Sequence, residues 1–308
     1  MKKVILVITS SIDKTVDYVE GKYCGELDIY RVNVDQLPTY EITIANNGAK
    51  ISDSYNKAIF LHEVDGILYR KPMFPDISEY DRAYHDMIQK DIIALINGMI
   101  DSFDGRVLTK PHILRKCENK IYQLIYASEN NVLMPKSFVG NSRKELLGVK
   151  GQKNIIKPIT TGKVYHEEYC ELFQTSYFDG YQEDIALTPV YIQNYIEKKY
   201  EVRLTVVDNQ FFGVKIIAGD LIDWRKSYES NQYSIIEVPI AIKKQVANMM
   251  KAFGLHFGAF DFIVSKDEQW YFLEVNPNGQ WLWLEKELNL KISDAIVDYL
   301  CGGEVTDD

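Results

Sequence analysis

Glu274 and Asn276 stand two residues apart in the stretch YFLEVNPNGQWLWLE (271–285), where an apolar run stops at Pro, Asn and Gly. Alternate side chains of a β-strand share a face, so this carboxylate and carboxamide point the same way. The segment GAFDFIVSKDEQWYFLEVNP patterns as a hairpin turning at SKDEQ, and its first arm carries Asp261. A tight hairpin sets Asp261 across from the other two. Two carboxylates and a neutral amide oxygen on one sheet face suit a hard cation such as Mg²⁺, which keeps waters and takes phosphate oxygens at its remaining positions. On these three residues alone, a polar outer face with carboxylates there by chance reads equally well.

Cations upstream bear on the choice. Lys157 ends NIIK between apolar residues and Pro158, which draws its ammonium toward a half-buried place where it needs a partner. Lys120 opens the helical segment KIYQLIY, Arg203 lies in EVR, Lys215 in GVKI and Arg225 in DWR. Each by itself is more readily a solvated surface charge. Gathered on strands facing one hairpin, they would cradle phosphates around a metal. Between them, IQNYIEKKYE has the character of a nucleotide hinge: Gln193, Asn194, Tyr195 and Ile196 could offer backbone groups to an adenine edge, and Glu201 a carboxylate to ribose hydroxyls. An ordinary strand crossing accounts for the same stretch.

The elements that must position these residues follow from periodicity. Residues 4–9 read as a buried strand, 11–21 as a helix and 27–33 as a second strand; 42–45, 57–61 and 66–70 are further strands. A long helix over 80–103 carries apolar residues from Met87 to Ile100 at helical spacing. A helix over 118–130 ends where Asn and then Pro135 prevent continuation. Residues 154–159 form a short strand, and 160–184 have mixed polarity, predicting a hairpin with mobile loops. In the last third, YEVRLTVVDNQFFGVKII is two strands around an Asp-Asn turn, 242–253 a helix, and 288–300 a closing amphipathic helix. Trp281 and Trp283 read as packing beneath the site. The division expected is three units: an α/β unit at 1–112, a central one at 113–192 and a C-terminal one at 193–308.

Composition narrows the function. At 308 residues and 46% hydrophobic, the chain can bury several cores. A net charge of −9 argues against a nucleic-acid binder, which needs a basic face. No apolar run reaches the length of a membrane span, and the short run after Lys2 and Lys3 is a strand, so no membrane partner and a cytoplasmic location are the expectation. Cys24, Cys117, Cys170 and Cys301 lack zinc or disulfide spacing, and the five histidines lie scattered without a nucleophile–base pattern.

In this order, a helix-opening lysine, a strand lysine, a hinge, an acidic-x-Arg pair and the Asp and Glu-x-Asn hairpin, the residues resemble the ATP-grasp superfamily over roughly 115–300. NPNGQW and DWR, with LYRKP and RVNVDQLP near the start, extend the resemblance over nearly the whole chain to the graspetide synthetases, the microviridin-type peptide ligases. It implies an α/β (α+β) ATP-grasp fold with an N-terminal α/β pre-ATP-grasp domain, and ATP and Mg²⁺ as cofactors. Lys120, Lys157, Arg203 and Lys215 would hold phosphates, Glu201 the ribose, and Asp261, Glu274 and Asn276 the metal. Arg203, Lys215 and Arg225 would act in catalysis, Arg225 with Lys226 meeting an acidic substrate. The implied reaction joins Glu or Asp side chains of a ribosomal precursor peptide, leader plus acidic core, to Ser, Thr or Lys side chains through an acyl phosphate, with residues 160–184 as the lid that excludes water. A homodimer is part of the same expectation. One departure is that only Gly162 stands where many ATP-grasp enzymes carry a glycine-rich phosphate loop. Two other readings are a ligase joining a free amino acid or small amine to a small acid or protein terminus, and a non-catalytic nucleotide- or peptide-binding module.

Overall fold

Ile5, Leu6, Val7 and Ile8 are all buried, as a strand covered on both faces requires. In the computed structural model, which describes residues 2–46, 48–147, 153–160, 162–165, 170–173, 175–178, 186–218 and 231–302, they belong to β1 (Lys3–Thr9). This strand is central in a parallel sheet with β2 (Leu27–Asn33), β6 (Gly66–Tyr69) and β7 (Arg106–Leu108), in the order β2-β1-β6-β7. Leu6 and Ile8 pack toward Ile96, Met99 and Ile100 of α2 (Arg82–Asp101). Ile5 and Val7 pack the other way, against Val16 and Val19 of α1 (Lys14–Lys22) and Ile296 and Leu300 of α8 (Ile292–Cys301). The C-terminal helix therefore lies under the N-terminal sheet. Its approach explains Gly66, where a Cβ would come 2.5 Å from the Leu300 carbonyl oxygen. Beside this sheet stands an antiparallel meander of β3 (Tyr40–Ala45), β4 (Gly48–Asp53) and β5 (Ala58–Phe60).

Two short helices follow, α3 (Pro111–Cys117) and α4 (Lys120–Glu129). The central sheet is antiparallel, in the order β12-β9-β13-β8, built from β8 (Ser137–Gly140), β9 (Asn154–Lys157), β12 (Ser176–Phe178) and β13 (Val190–Asn194). The hairpin of β10 (Lys163–Tyr165) and β11 (Cys170–Leu172) and the short helix α5 (Arg143–Leu147) accompany it. The C-terminal sheet runs β16-β15-β14-β17-β18 from β14 (Lys198–Val207), β15 (Gln210–Ile217), β16 (Gln232–Ile235), β17 (Phe257–Ser265) and β18 (Trp270–Asn276). One face packs on α6 (Ile240–Phe253) through Val202, Leu204, Phe260 and Phe262; the other joins the core that holds β1 and α8 through Val207, Val214, Ile216 and Phe257.

The first helix begins at Lys14, later than its apolar pattern predicts, because the Asp13 carboxylate caps it by accepting from the Thr15 and Val16 amides. The closing helix, expected over 288–300, begins later as α8 at Ile292, because a separate helix α7 (Leu282–Leu288) precedes it and ends at Asn289 in the left-handed region at φ 52°. Trp281 and Trp283 thus sit at the start of a helix; Trp281 is buried and the Trp283 ring lies 5.1 Å from that of Tyr233. A polar network fixes α1 to α7 and α8: Lys22 Nζ reaches Glu285, Ser293 and Asp294, and Tyr23 Oη donates to Asp294 Oδ1 at 2.6 Å. Among the described residues no helix is long and apolar enough to cross a membrane.

Candidate active site

Arg203 on β14 pairs directly with Asp261 on β17, and Asp261 pairs with Glu274 on β18. Asn276 lies opposite Ala259, so it shares their face. Arg203 Nη1 donates to both Asp261 oxygens at 2.7 Å, and Asn276 Nδ2 donates to Asp261 Oδ2 at 3.3 Å. Arg203 and Asp261 are 6% and 5% exposed, which makes the pair a desolvated one that survives only because each partner answers the other. Arg203 Nε is buried without a hydrogen-bond partner among the described residues, a donor in a position to meet an anion. The turn after β18 needs Gly279: a Cβ there would lie 2.5 Å from the Ala259 Cβ and 3.2 Å from Arg203 Nη2. The strand therefore ends where the backbone must fold back against its own site.

Lys120 is the first residue of α4, whose N-terminus is capped by Asn119 accepting from the Ile121 and Tyr122 amides. Its Nζ donates to the Pro158 carbonyl at 3.0 Å and lies 3.7 Å from Glu274 Oε2. One turn on, the buried Gln123 donates to the Val275 carbonyl at 2.9 Å and accepts from the Val275 amide at 2.8 Å. Gln123 is the residue that pins α4 to the strand bearing Glu274 and Asn276, and sequence reading passed over it because a lone glutamine on a helix carries no signal until the helix is docked.

Lys157, at the end of β9, donates to Gln193 Oε1 at 3.4 Å and sits 4.2 Å from the centre of the Tyr191 ring. Burial raises the Tyr191 phenol above its ordinary value, and the Glu274 charge adds to the shift, which places Lys157, Tyr191 and Glu274 within one electrostatic neighbourhood. Glu201 is buried on β14 and ion-paired to Lys198, a cation the motif reading missed; a register shift between Lys198 and Tyr200 accompanies the pairing.

The hinge differs in detail from expectation. Gln193 is buried and its amide donates to Ser137 Oγ at 3.1 Å. The Asn194 and Tyr195 amides already donate to the Lys136 and Lys153 carbonyls at 2.8 and 2.9 Å, so neither is left for an adenine edge. Ile196, half-buried, has no acceptor for its amide among the described residues.

Lys215 stands apart from the cluster. It pairs with Val202, whose neighbour Arg203 points to the opposite face, and its Nζ lies 4.5 Å from the Tyr200 ring centre on the α6 side of the sheet. The expected set of phosphate cations is corrected here: Lys120, Lys157 and Arg203 converge near Glu274 and Asp261, whereas Lys215 does not. Arg225 and Lys226 lie outside the described residues, as does part of the predicted lid at 160–184, of which β10, β11 and β12 are described.

The donor set of Asp261, Glu274 and Asn276 is all hard oxygen and faces Lys120 and Arg203, so it fits a divalent cation with phosphate ligands. No protein-family model and no curated protein matches the chain. Solved structures do. A RiPP-associated ATP-grasp ligase from Chryseobacterium gregarium, in complex with ADP and a leader and core peptide, matches with a TM-score of 0.86 and 25% identity over 97% of each chain. Macrocyclase MdnC from Microcystis aeruginosa MRC, bound with precursor peptide MdnA, gives 0.85 and 27% over 97% of this chain and 99% of that one. Macrocyclase MdnB from the same organism gives 0.80 and 28% over 98% and 100%. Fold and site together define an ATP-grasp ligase. Within that class the chain is similar over nearly its whole length to the RiPP-associated ligase and the macrocyclases, a likeness that supports the graspetide synthetase family.

Proposed function

We propose that the protein closes rings in a ribosomally made precursor peptide by joining Glu or Asp side chains to Ser, Thr or Lys side chains. The observation that carries the reading is the convergence of Asp261, Glu274 and Asn276 with Arg203 and Lys120 on one sheet face. Its support in comparison is a likeness over nearly the whole chain to two ligases solved with their peptides. A carboxylate cannot expel oxide at neutral pH, so it must first be activated. A carboxylate oxygen of the peptide attacks the γ-phosphorus of ATP, the bond to the β-phosphate oxygen breaks, and ADP leaves. The hydroxyl oxygen or amine nitrogen then attacks the acyl carbon, loses its proton, and phosphate departs with the former carboxylate oxygen.

Mg²⁺ held by Asp261, Glu274 and Asn276 would neutralise phosphate oxygens. Lys120 and Lys157 bind phosphate, and Arg203, fixed by Asp261, aims its Nε and Nη2 at developing negative charge. Glu201 takes the ribose, and the adenine donor in the hinge is the Ile196 amide. Arg225 and Lys226 act on the substrate side, and residues 160–184 cover the acyl phosphate. Hydroxylamine tests the chemistry. With ATP, Mg²⁺ and a precursor peptide carrying a leader and an acidic core, it should divert the acyl phosphate to a peptide hydroxamate, seen by mass, in proportion to ADP released. ADP release with no hydroxamate, at hydroxylamine levels that trap a model acyl phosphate, would contradict the route.

A further inference from the structure

Lys71 occupies a position that the nucleotide and metal groups leave unexplained. It lies two residues past the end of β6 with φ 44°, a left-handed conformation that lysine rarely adopts. The residue before it is locked. Arg70 donates its backbone amide to the Ile8 carbonyl at 2.9 Å, and its guanidinium is 3% exposed with Nε 2.9 Å from Asp13 Oδ2 and Nη2 on Gln280 and Thr15. Pro72 follows, with φ fixed by its ring. The direction in which Lys71 leaves the strand is thus imposed from both sides.

That direction leads to the junction of two cavities. Lys71 lines a cavity of about 550 Å³ whose wall includes Asn276, the last residue of β18, and Asn278 just beyond it, with Arg115 and Glu118. It also lines a groove of about 810 Å³ with an apolar side formed by Ile12, Met73, Leu282 and Trp283 and with Lys14 and Lys286 among its walls. Lys71 makes no hydrogen bond or ion pair among the described residues. Asp13, the nearest acid in sequence to share the groove, is committed to Arg70, to Thr9 Oγ1 and to the Thr15 amide. The Lys71 side chain is exposed to the groove; the protein packed around it and the charge of Arg70 draw its ammonium below the usual lysine range, against the opposing pull of Asp13 and Glu118. Arg203 contributes to the same positive field. An ammonium that forms no ion pair among the described residues, in a field made positive by Arg70 and Arg203, is set to receive an anion.

We propose that Lys71 receives the side-chain carboxylate of the acidic residue to be activated, holding it where the groove opens onto the metal site. The proposal rests on the peptide-ligase reading and deepens it: the groove holds the acidic segment of the substrate in extended form, its three lysines matching the carboxylates, and Lys71 selects the one that enters the cavity beside Asn276. Lys71 is a substrate-binding group, distinct from the cations that hold nucleotide.

The test uses Lys71→Gln, with Lys71→Arg as the charge-keeping control, and the precursor peptide in two forms, one with its core Asp and Glu residues and one with Asn and Gln in their place. Lys71→Gln should bind ADP within about twofold of wild type, a surface-sized change, yet lose about a hundredfold in ring formation through misplacement of the acid. Lys71→Arg should recover part of that loss. Wild type should prefer the acidic peptide over the amide form, and Lys71→Gln should not. Cyclisation by Lys71→Gln at the wild-type rate overturns the assignment, as does an equal loss of ADP binding. If the wild-type protein closes no ring, the peptide-ligase reading fails separately, and a smaller probe decides the site. Lysines reductively methylated with ¹³C give a Lys71 signal identified by its absence from Lys71→Gln. N-acetylglutamate methylamide should move that signal while the glutamine counterpart does not; equal response to both refutes the carboxylate site.

Discussion

Arg203 Nη1 lies 2.7 Å from both oxygens of Asp261, across a β-ladder that pairs the two residues directly and buries them both. The pair keeps the carboxylate proposed for the metal and the guanidinium proposed for phosphate in place before any ligand arrives. Removing one partner leaves a buried charge unanswered. Asp261→Asn should therefore destabilise the ligand-free protein by about 3–5 kcal/mol in chemical denaturation. The double variant Asp261→Asn with Arg203→Met should regain much of that loss while staying inactive. Equal stability of Asp261→Asn and wild type would show that the pair is not desolvated.

Gln123 ties α4 to Val275 through two hydrogen bonds. Gln123→Ala leaves buried backbone groups unpaired and should cost about 2 kcal/mol. Because Lys120 sits one turn away and Glu274 and Asn276 flank Val275, the same change should weaken Mg²⁺-dependent ADP binding in calorimetry. Lost stability with unchanged binding would mean that α4 does not position the site.

Lys215 faces away from Arg203 and Asp261. Lys215→Ala should leave ADP affinity within about twofold of wild type, as for a surface change, whereas Lys120→Ala should weaken it markedly. A comparable loss from both would place Lys215 at the phosphates.

Asp294 carries the pH dependence of the contact between α1 and the C-terminal helices. Burial raises its carboxyl, but hydrogen bonds from Tyr23 and Lys22 and the Lys22 charge outweigh it, so the value falls below the ordinary 3.8. A depressed folded-state value stabilises above the unfolded one and is lost as pH falls through the folded one. The melting-temperature gap between wild type and Asp294→Asn should be full near neutrality and close below pH 3.8. Lys22 is shifted upward, chiefly by the hydrogen bonds of Asp294 and Glu285 against its burial, so its contribution lasts into alkaline solution. A gap that widens in acid would reverse the sign.

The two hairpins of the last third were legible because period-two alternation and short polar turns specify them, and with them the shared face of Asp261, Glu274 and Asn276. The facing of Lys215 was also within reach. The two-residue turn at Asp208 and Asn209 pairs Val207 with Gln210, which carries Arg203 opposite Val214 and puts Lys215 on the far face. The sequence order of the cations was followed without that parity. Lys198 was hidden because its approach to Glu201 accompanies a register irregularity, and Gln123 because its partner is 152 residues away. The third helix, 111–117, is short and begins at a proline, which broke the pattern although proline is at home in a first helical turn. The significance of Lys71 depends on a left-handed backbone and two cavities, neither of which is written in local composition.

The most direct measurement is the mass of the precursor peptide after incubation with the protein, ATP and Mg²⁺. Loss of one or more waters from the peptide, dependent on ATP and absent with Glu274→Ala, is the result that intramolecular ligation predicts, and fragmentation would locate the rings. An unchanged peptide mass with continuing ADP release would contradict it, showing that the activated acid or its acceptor belongs to some other molecule.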